Sequence, residues 1–207
     1  MNAPTRSMQN KAFLILLSSK STSQNCINML STNTMETRNR SIIFNGIVVD
    51  LEQMEVKISD KGWHTFQIVR HPGGSAVLPL HEDGTVTLIR QPRPAINEFT
   101  LEIPAGRLST GEDPVDCARR ELLEETGLRA TTLEPLGFIY SSPGVFDEKI
   151  YLFLANDLTQ GESAQEQFED IHPVRVPLSD ALAMACDGRI IDGKTIVALL
   201  RASRREA

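Results

Sequence analysis

Three glutamates, Glu121, Glu124 and Glu125, stand at positions i, i+3 and i+4 of one segment. If that segment is a helix, their carboxylates project from one face. Like charges so placed repel one another unless a cation neutralises them. Hard divalent cations take oxygen ligands, and Mg²⁺ is the usual choice where phosphates of a substrate complete the coordination. Alone, an acidic triplet reads first as the solvated face of a surface helix. Gly106 and Gly111, shortly before it, permit tight backbone paths close to a ligand.

The elements that must position these carboxylates are marked in the chain. Asp113 is placed to cap a helix, Pro114 suits its first position and Gly127 its end, which predicts a helix from about Pro114 to Thr126. Val115 and Leu122 lie on its other sides and can face a core. Strands are expected on both sides of it. Before it come Ile42 to Leu51, Met54 to Ser59, Trp63 to Arg70, Ser75 to Leu80, Thr85 to Arg90 and Glu98 to Ile103. His81 to Gly84 reads as a hairpin tip. After it come Thr131 to Tyr140, Lys149 to Ala155 and Ile171 to Val176, with a polar loop over 156–170. Helices near Leu178 to Cys186 and Lys194 to Arg204 close the chain. Strands around one helix, with helices at the end, give an α/β (α+β) sandwich with a mixed sheet.

Composition narrows the chemistry. The net charge is −6 and no basic stripe stands out, so binding of nucleic acid through its phosphates is excluded as the main activity. An acidic protein that handles phosphates needs local positive charge, and ions held by carboxylates supply it. Cys26, Cys117 and Cys186 form no CxxC pair and read as reduced thiols of a cytoplasmic protein. The four histidines lack HExxH spacing, so a zinc site is unsupported. No apolar run reaches membrane-spanning length. Residues 1–40 are rich in Ser, Asn, Thr and Met, with no acid before Glu36, and read as a disordered or weakly ordered extension ahead of a domain over 41–207. A transit peptide, or an upstream start with Met35 as the working one, are the other readings of that leader.

The segment from Gly106 to Leu128 resembles the Nudix box, G-x5-E-x7-R-E-U-x-E-E-x-G-U with U aliphatic. Gly106, Glu112, Arg120, Glu121, Leu122, Glu124, Glu125, Gly127 and Leu128 fill every fixed position of it. The resemblance to the Nudix superfamily covers roughly residues 41–205. It implies an α/β/α sandwich with a loop–helix–loop metal site. It also implies hydrolysis of a nucleoside diphosphate linked to another group. By position, Glu121, Glu124 and Glu125 would hold Mg²⁺ (or Mn²⁺), Arg120 would orient them and Glu112 would support the cluster. The carbonyl of Ala105 resembles a further metal ligand in ADP-ribose pyrophosphatases.

Residues outside the box point to the same group. Pro143 follows Gly127 by sixteen positions, a spacing similar to that of ADP-ribose pyrophosphatases. Arg90-Gln91-Pro92-Arg93 stands where that group has Arg-Gln-Tyr-Arg, and Leu101 to Gly106 is also similar to it. Arg90 and Arg93 are thus expected at the substrate, Arg93 on phosphate or ribose. Phe66 reads either as a stacking partner for a base or as an ordinary strand residue, and Trp63 as a weaker alternative to it. Glu148 reads either as a ribose contact or as an exposed strand-end acid. The resemblance also places a general base in the loop before the last strand. Aligned without gaps its position falls on Gln167, which leaves Glu166, Glu169 or neither as the base. Relatives of this group build their substrate site across a swapped N-terminal sheet, so a homodimer is expected. The expected substrate is ADP-ribose or a related nucleoside diphosphate sugar, with no nucleic-acid or membrane partner. The competing readings are a housecleaning hydrolase of another nucleotide and a Nudix domain that only binds ADP-ribose.

Overall fold

The computed structural model describes residues 34–161 and 170–205. Among these the chain runs β1 (Thr37–Asn45), β2 (Asp50–Lys57), β3 (Trp63–Arg70), β4 (Gly74–Pro79), β5 (Thr85–Arg93), β6 (Glu98–Glu102), β7 (Ala105–Arg107), α1 (Pro114–Thr126), β8 (Leu128–Tyr140), β9 (Lys149–Gln160), β10 (His172–Pro177), α2 (Leu178–Asp187) and α3 (Gly193–Ser203).

Alternation along β4 and β9 builds two cores. Val77, Phe153 and Ala155 point to one side of the sheet, where Ala118 and Leu122 of α1 cover them. Ala76, Leu78, Leu152 and Leu154 point to the other, where Ala181 of α2 and Ala198, Leu199 and Ala202 of α3 pack. The sheet between the helices has the order β7-β4-β9-β8, with β4 and β9 parallel and both outer pairs antiparallel. It is mixed, and the layers are α/β/α, as expected. Strands β10-β5-β6 form a second antiparallel sheet, and β1-β2-β3 an N-terminal one.

Leu122 is fully buried one residue after Glu121, so the helix that carries the carboxylates is anchored by its own opposite face. Leu122→Ala is expected to cost about 2–5 kcal/mol of stability, the usual range for such a truncation in a core. Denaturant unfolding would read it, and a loss below about 0.5 kcal/mol would show that α1 is not anchored there.

The N-terminal sheet is tied to the rest by backbone and charge. Val69 N–H donates to the Val145 carbonyl at 2.8 Å, and Asp147 N–H to the Val69 carbonyl at 3.1 Å. Arg70 bridges Asp147 at 2.9 Å and Glu52 at 2.6 Å. Glu52 is buried and also carries Arg40 at 2.6 Å. The Arg40 hydrogen bond, helped by Arg70 and opposed by burial, holds the Glu52 carboxyl down to about 2. Ile42, Ile43 and Phe44 of β1 are all exposed.

Several boundaries differ from the sequence reading. The expected strand Ile42 to Leu51 is two strands, because Gly46 N–H closes a tight turn onto the Val49 carbonyl at 3.0 Å. The first of them begins at Thr37, where Thr37 pairs with Val56. The strand expected to end at Ala155 runs on to Gln160. Leu128 starts a strand directly behind the helix cap and pairs with Gln160, so the polar stretch is held in register as part of an edge. The bond from Asn156 to Glu134 at 3.1 Å shows how polar side chains persist there. Glu166, Gln167 and Glu169 lie outside the described residues, as do residues 1–33.

Candidate active site

The carboxylate helix starts and stops where its sequence dictates. The Asp113 side chain accepts from Val115 N–H at 2.8 Å, and Gly127 ends the helix in the left-handed region at φ 72°. This fixes the rotation of α1, and with it the faces of its acids. Glu121 and Glu125, one turn apart, are both buried against the short strand β7. The Glu125 Oε2 accepts the Ala105 N–H at 2.9 Å. Glu121 lies so close to Gly106 that a β-carbon there would stand 1.8 Å from Oε1. The glycine at the head of the box is therefore the space in which the Glu121 carboxylate sits.

Arg120 holds the cluster together. Its Nη1 donates to Glu121 Oε1 at 2.6 Å and Glu124 Oε2 at 3.0 Å. Its Nε and Nη2 grip Glu112 at 2.9 and 3.1 Å, and Nη2 reaches the Arg107 carbonyl at 3.2 Å. Glu112 in turn accepts Ser109 N–H at 2.9 Å, which pins the loop ahead of the helix. The Arg120 hydrogen bond, then that of Ser109, hold the Glu112 carboxyl down to about 2 against a small cost of burial. The same acids raise the Arg120 guanidinium further above its already high value, so it is permanently charged. Cys117 is packed beneath this loop, and burial pushes its thiol up to about 11. It is an inert core thiol.

Among the described residues, no three acid, histidine or cysteine side chains are gathered into a ready-made metal cage. The donor chemistry nonetheless fits Mg²⁺. That ion keeps several waters and uses one or two carboxylates plus substrate phosphates, so an open, oxygen-only cluster suits it better than a closed one would. Arg120 supplies positive charge to Glu121 and Glu124 and sets their positions. Gly106, having no side chain, leaves the room that the Glu121 carboxylate occupies.

A cleft of about 610 Å³ opens over the same backbone. Ala105 and Gly106 line it, together with Arg93, Glu148, His71 and Lys194. Arg93 is clamped by Glu102, whose two oxygens accept its Nε and Nη2 at 2.7 and 2.6 Å. Glu148 stands 3.6 Å from His71 Nδ1. A smaller pocket of about 280 Å³ lies between the N-terminal sheet and the 143–147 turn, lined by Pro143, Phe146, Met54 and Ile68. Tyr140 borders both cavities.

The expected site residues thus separate into groups. Arg93, Ala105 and Glu148 share the main cleft, and Glu121, Glu124, Glu125 and Arg120 stand on the helix behind its floor. Pro143 belongs to the smaller pocket. Arg90 is not brought to either cavity. Successive side chains of a strand point to opposite faces, so Arg90 faces away from Arg93 and stacks on Phe99, 3.8 Å from the ring centre. Phe66 lies in the middle of β3, opposite Met54, partly exposed and outside both cavities. Trp63 is covered by the Arg38 guanidinium at 4.1 Å. The sequence reading missed Lys194, His71 and Tyr140. The signal of Lys194 was Asp192, which caps α3 through Thr195 N–H at 3.0 Å and so places the first turn of that helix. That the turn faces the cleft is a tertiary fact with no local mark. Gln91, on the same face of β5 as Arg93, has a buried Nε2 with no partner among the described residues.

Comparison with known proteins gives a consistent picture. Residues 70–199 match the NUDIX domain family. The chain is 37% identical over 167 residues to an ADP-ribose pyrophosphatase of Bacillus subtilis (strain 168), covering 80% of this chain and 90% of that one. It is 38% identical over 139 residues to a GDP-mannose pyrophosphatase of Yersinia pestis (strain Pestoides F), covering 63% and 70%. In three dimensions it is similar to the solved structure of an ADP compounds hydrolase, with TM-score 0.73 and 22% identity over 84% of this chain and 95% of the other.

Proposed function

This chain belongs to the NUDIX domain family, and from that membership we propose that it hydrolyses the diphosphate of ADP-ribose or a related nucleoside diphosphate sugar. The observation that carries the reading is the burial of Glu121 and Glu125 against Ala105 and Gly106, the same residues that floor the main cleft. A diphosphate in that cleft would meet oxygen ligands on one side and Arg93 on another. With ADP-ribose, attack of water on one phosphorus gives AMP and ribose 5-phosphate.

Glu121, Glu124, Glu125 and the Ala105 carbonyl would hold Mg²⁺ or Mn²⁺, which supplies charge neutralisation at the phosphates and a lowered pKa for bound water. The side chains do the rest. Arg120 fixes the direction of Glu121 and Glu124, while Arg93 and Glu148 bind and orient the substrate in the cleft. A proton must leave the attacking water, and the acceptor proposed is the carboxylate of Glu166 or of Glu169, with neither as the remaining alternative. Glutamine at 167 cannot serve, being neutral. Glu166→Gln and Glu169→Gln, made separately, are expected to differ: the true base should lose about 10² in kcat, the low end of what a positioned base contributes. If both, and the double variant, stay within a few-fold of the unaltered protein, neither glutamate is the base.

The relative that is a GDP-mannose pyrophosphatase favours a second substrate of the same class. A panel of ADP-ribose, ADP-glucose, GDP-mannose and an oxidised nucleotide, assayed for nucleoside monophosphate release with Mg²⁺, decides between them. No release from any, with tight binding of ADP-ribose, would make the domain a sensor and overturn the hydrolase reading. The assembly we propose is a homodimer. The exposed Ile42, Ile43 and Phe44 of β1 are the apolar surface it would cover. Among the described residues no helix is long and apolar enough to cross a membrane. The cytoplasm is the proposed compartment, in keeping with the free thiols of Cys117 and Cys186.

A further inference from the structure

Two cations of the main cleft share one buried anion. Glu102 is almost wholly buried on β6. It receives Arg93 of β5 through two hydrogen bonds and Lys194 of α3 through a third. Thr100 Oγ1 adds a fourth at 2.5 Å. Lys194 is itself buried and has a second acid, Asp192, at 3.0 Å. Arg93 differs, because its side chain is 42% exposed and turned in part to the cleft. Burial by itself would raise the Glu102 carboxyl, but Arg93, then Lys194 and Thr100, outweigh it and bring it down to about 2. Glu102 is therefore an anion at every ordinary pH, and it cannot be left without a cation.

This creates a conflict for Arg93. To grip a phosphate with the fork that now holds Glu102, it must loosen its hold on that carboxylate. A buried charge stripped of its partner is strongly destabilising. We propose that Lys194 is the positioning residue that removes this conflict: it keeps Glu102 compensated, so that Arg93 can exchange from Glu102 to the substrate diphosphate. The inference rests on the proposed function for the identity of the anion in the cleft. The geometry fits an exchange of this kind. Lys194 approaches Glu102 Oε2, the oxygen that also accepts Arg93 Nη2, so its ammonium is already in place when the guanidinium departs. Asp192 and Thr195 hold the first turn of α3, and Ile103 N–H donates to Thr195 Oγ1 at 2.8 Å, so Lys194 is fixed relative to β6.

The test is a charge cycle. Lys194→Met leaves Arg93 as the only cation on Glu102 and is expected to raise KM for ADP-ribose about tenfold or more, the scale of a lost charge-assisted contact, with kcat within about threefold. Lys194→Arg keeps the charge and should stay within about threefold of the unaltered KM. The decisive variant is Lys194→Met with Glu102→Gln. It removes the buried anion together with its holder, frees Arg93, and should return KM to within about threefold of the unaltered value. If KM stays high in this double variant, Lys194 touches the substrate directly and the exchange is wrong. An unchanged KM in Lys194→Met also overturns it. Thermal unfolding accompanies each variant, and Lys194→Gln replaces Lys194→Met should the latter not fold. The same series is read by calorimetric binding of α,β-methylene-ADP with Mg²⁺, which needs no turnover. If the unaltered chain binds this probe but hydrolyses no nucleotide sugar, the hydrolase reading fails. The exchange is then still decided by the order of the dissociation constants.

Discussion

Glu125→Gln is expected to lower kcat for ADP-ribose by about 10³ at saturating Mg²⁺. The argument is one of charge against shape. Glu125 is almost fully buried, and its Oε2 accepts the Ala105 N–H at 2.9 Å. Glutamine keeps a carbonyl oxygen to accept that bond, so the junction of β7 and α1 should hold. What glutamine lacks is the negative charge by which Glu125 is proposed to hold a hard cation. A metal contributes several kcal/mol of charge stabilisation in the transition state. At 1.4 kcal/mol per tenfold, about 4 kcal/mol corresponds to about 10³. The measurement is a Mg²⁺ titration of kcat, with circular dichroism to show the fold is kept. Removal of Mg²⁺ from the unaltered protein by excess EDTA should reproduce the loss. Turnover by the variant within tenfold of the unaltered protein, or activity that survives EDTA, would remove the metal mechanism.

The parts of this site that were legible in the sequence are those set by local physics. The cap at Asp113, the proline behind it and the glycine at the end fix where α1 begins and stops, and 3.6-residue periodicity then fixes which acids share a face. Two alternating strands reveal two cores, and hence the layers around them. What failed was of another kind. Arg90 and Arg93 share one motif, yet three residues of strand put them on opposite faces, one on Phe99 and one in the cleft. Parity along β5 would have separated them, had the strand been extended to Arg93 rather than ended at Arg90. The strand β7 has only three residues, too few to show any alternation, and its existence depends on pairing with Gly74, Ser75 and Ala76. Lys194 meets Glu102 across 92 positions of chain, a contact no local pattern can announce.

Gly106→Ala is the sharpest single-atom test of the site, since it adds one methyl group and should leave the fold standing. The backbone at Gly106 is not in the left-handed region, so alanine meets no conformational penalty there. The added β-carbon would fall 1.8 Å from Oε1 and 2.1 Å from Cδ of Glu121. Contacts that short cannot exist, and what yields decides the outcome. The obstacle is the far end of a flexible side chain, so rotation of Glu121 relieves the clash at little cost to stability. That rotation, however, takes Glu121 off its 2.6 Å bond to Arg120 Nη1 and away from its partners Glu124 and Glu125. A proposed metal ligand is displaced while every core contact of α1, Ala118 and Leu122 above all, is left as it was. The expected result is a loss of about 10²–10³ in kcat/KM, comparable to removing one preorganised electrostatic partner. The melting temperature should fall by no more than about 4 °C, the shift that roughly 1 kcal/mol produces in a domain of this size. The Mg²⁺ concentration for half-maximal activity should rise as well, since a ligand has moved. A variant that keeps full activity would show that Glu121 works from some other position than the one against Gly106. A variant that unfolds would show that the β7–α1 junction, and not the carboxylate, is what the missing side chain protects.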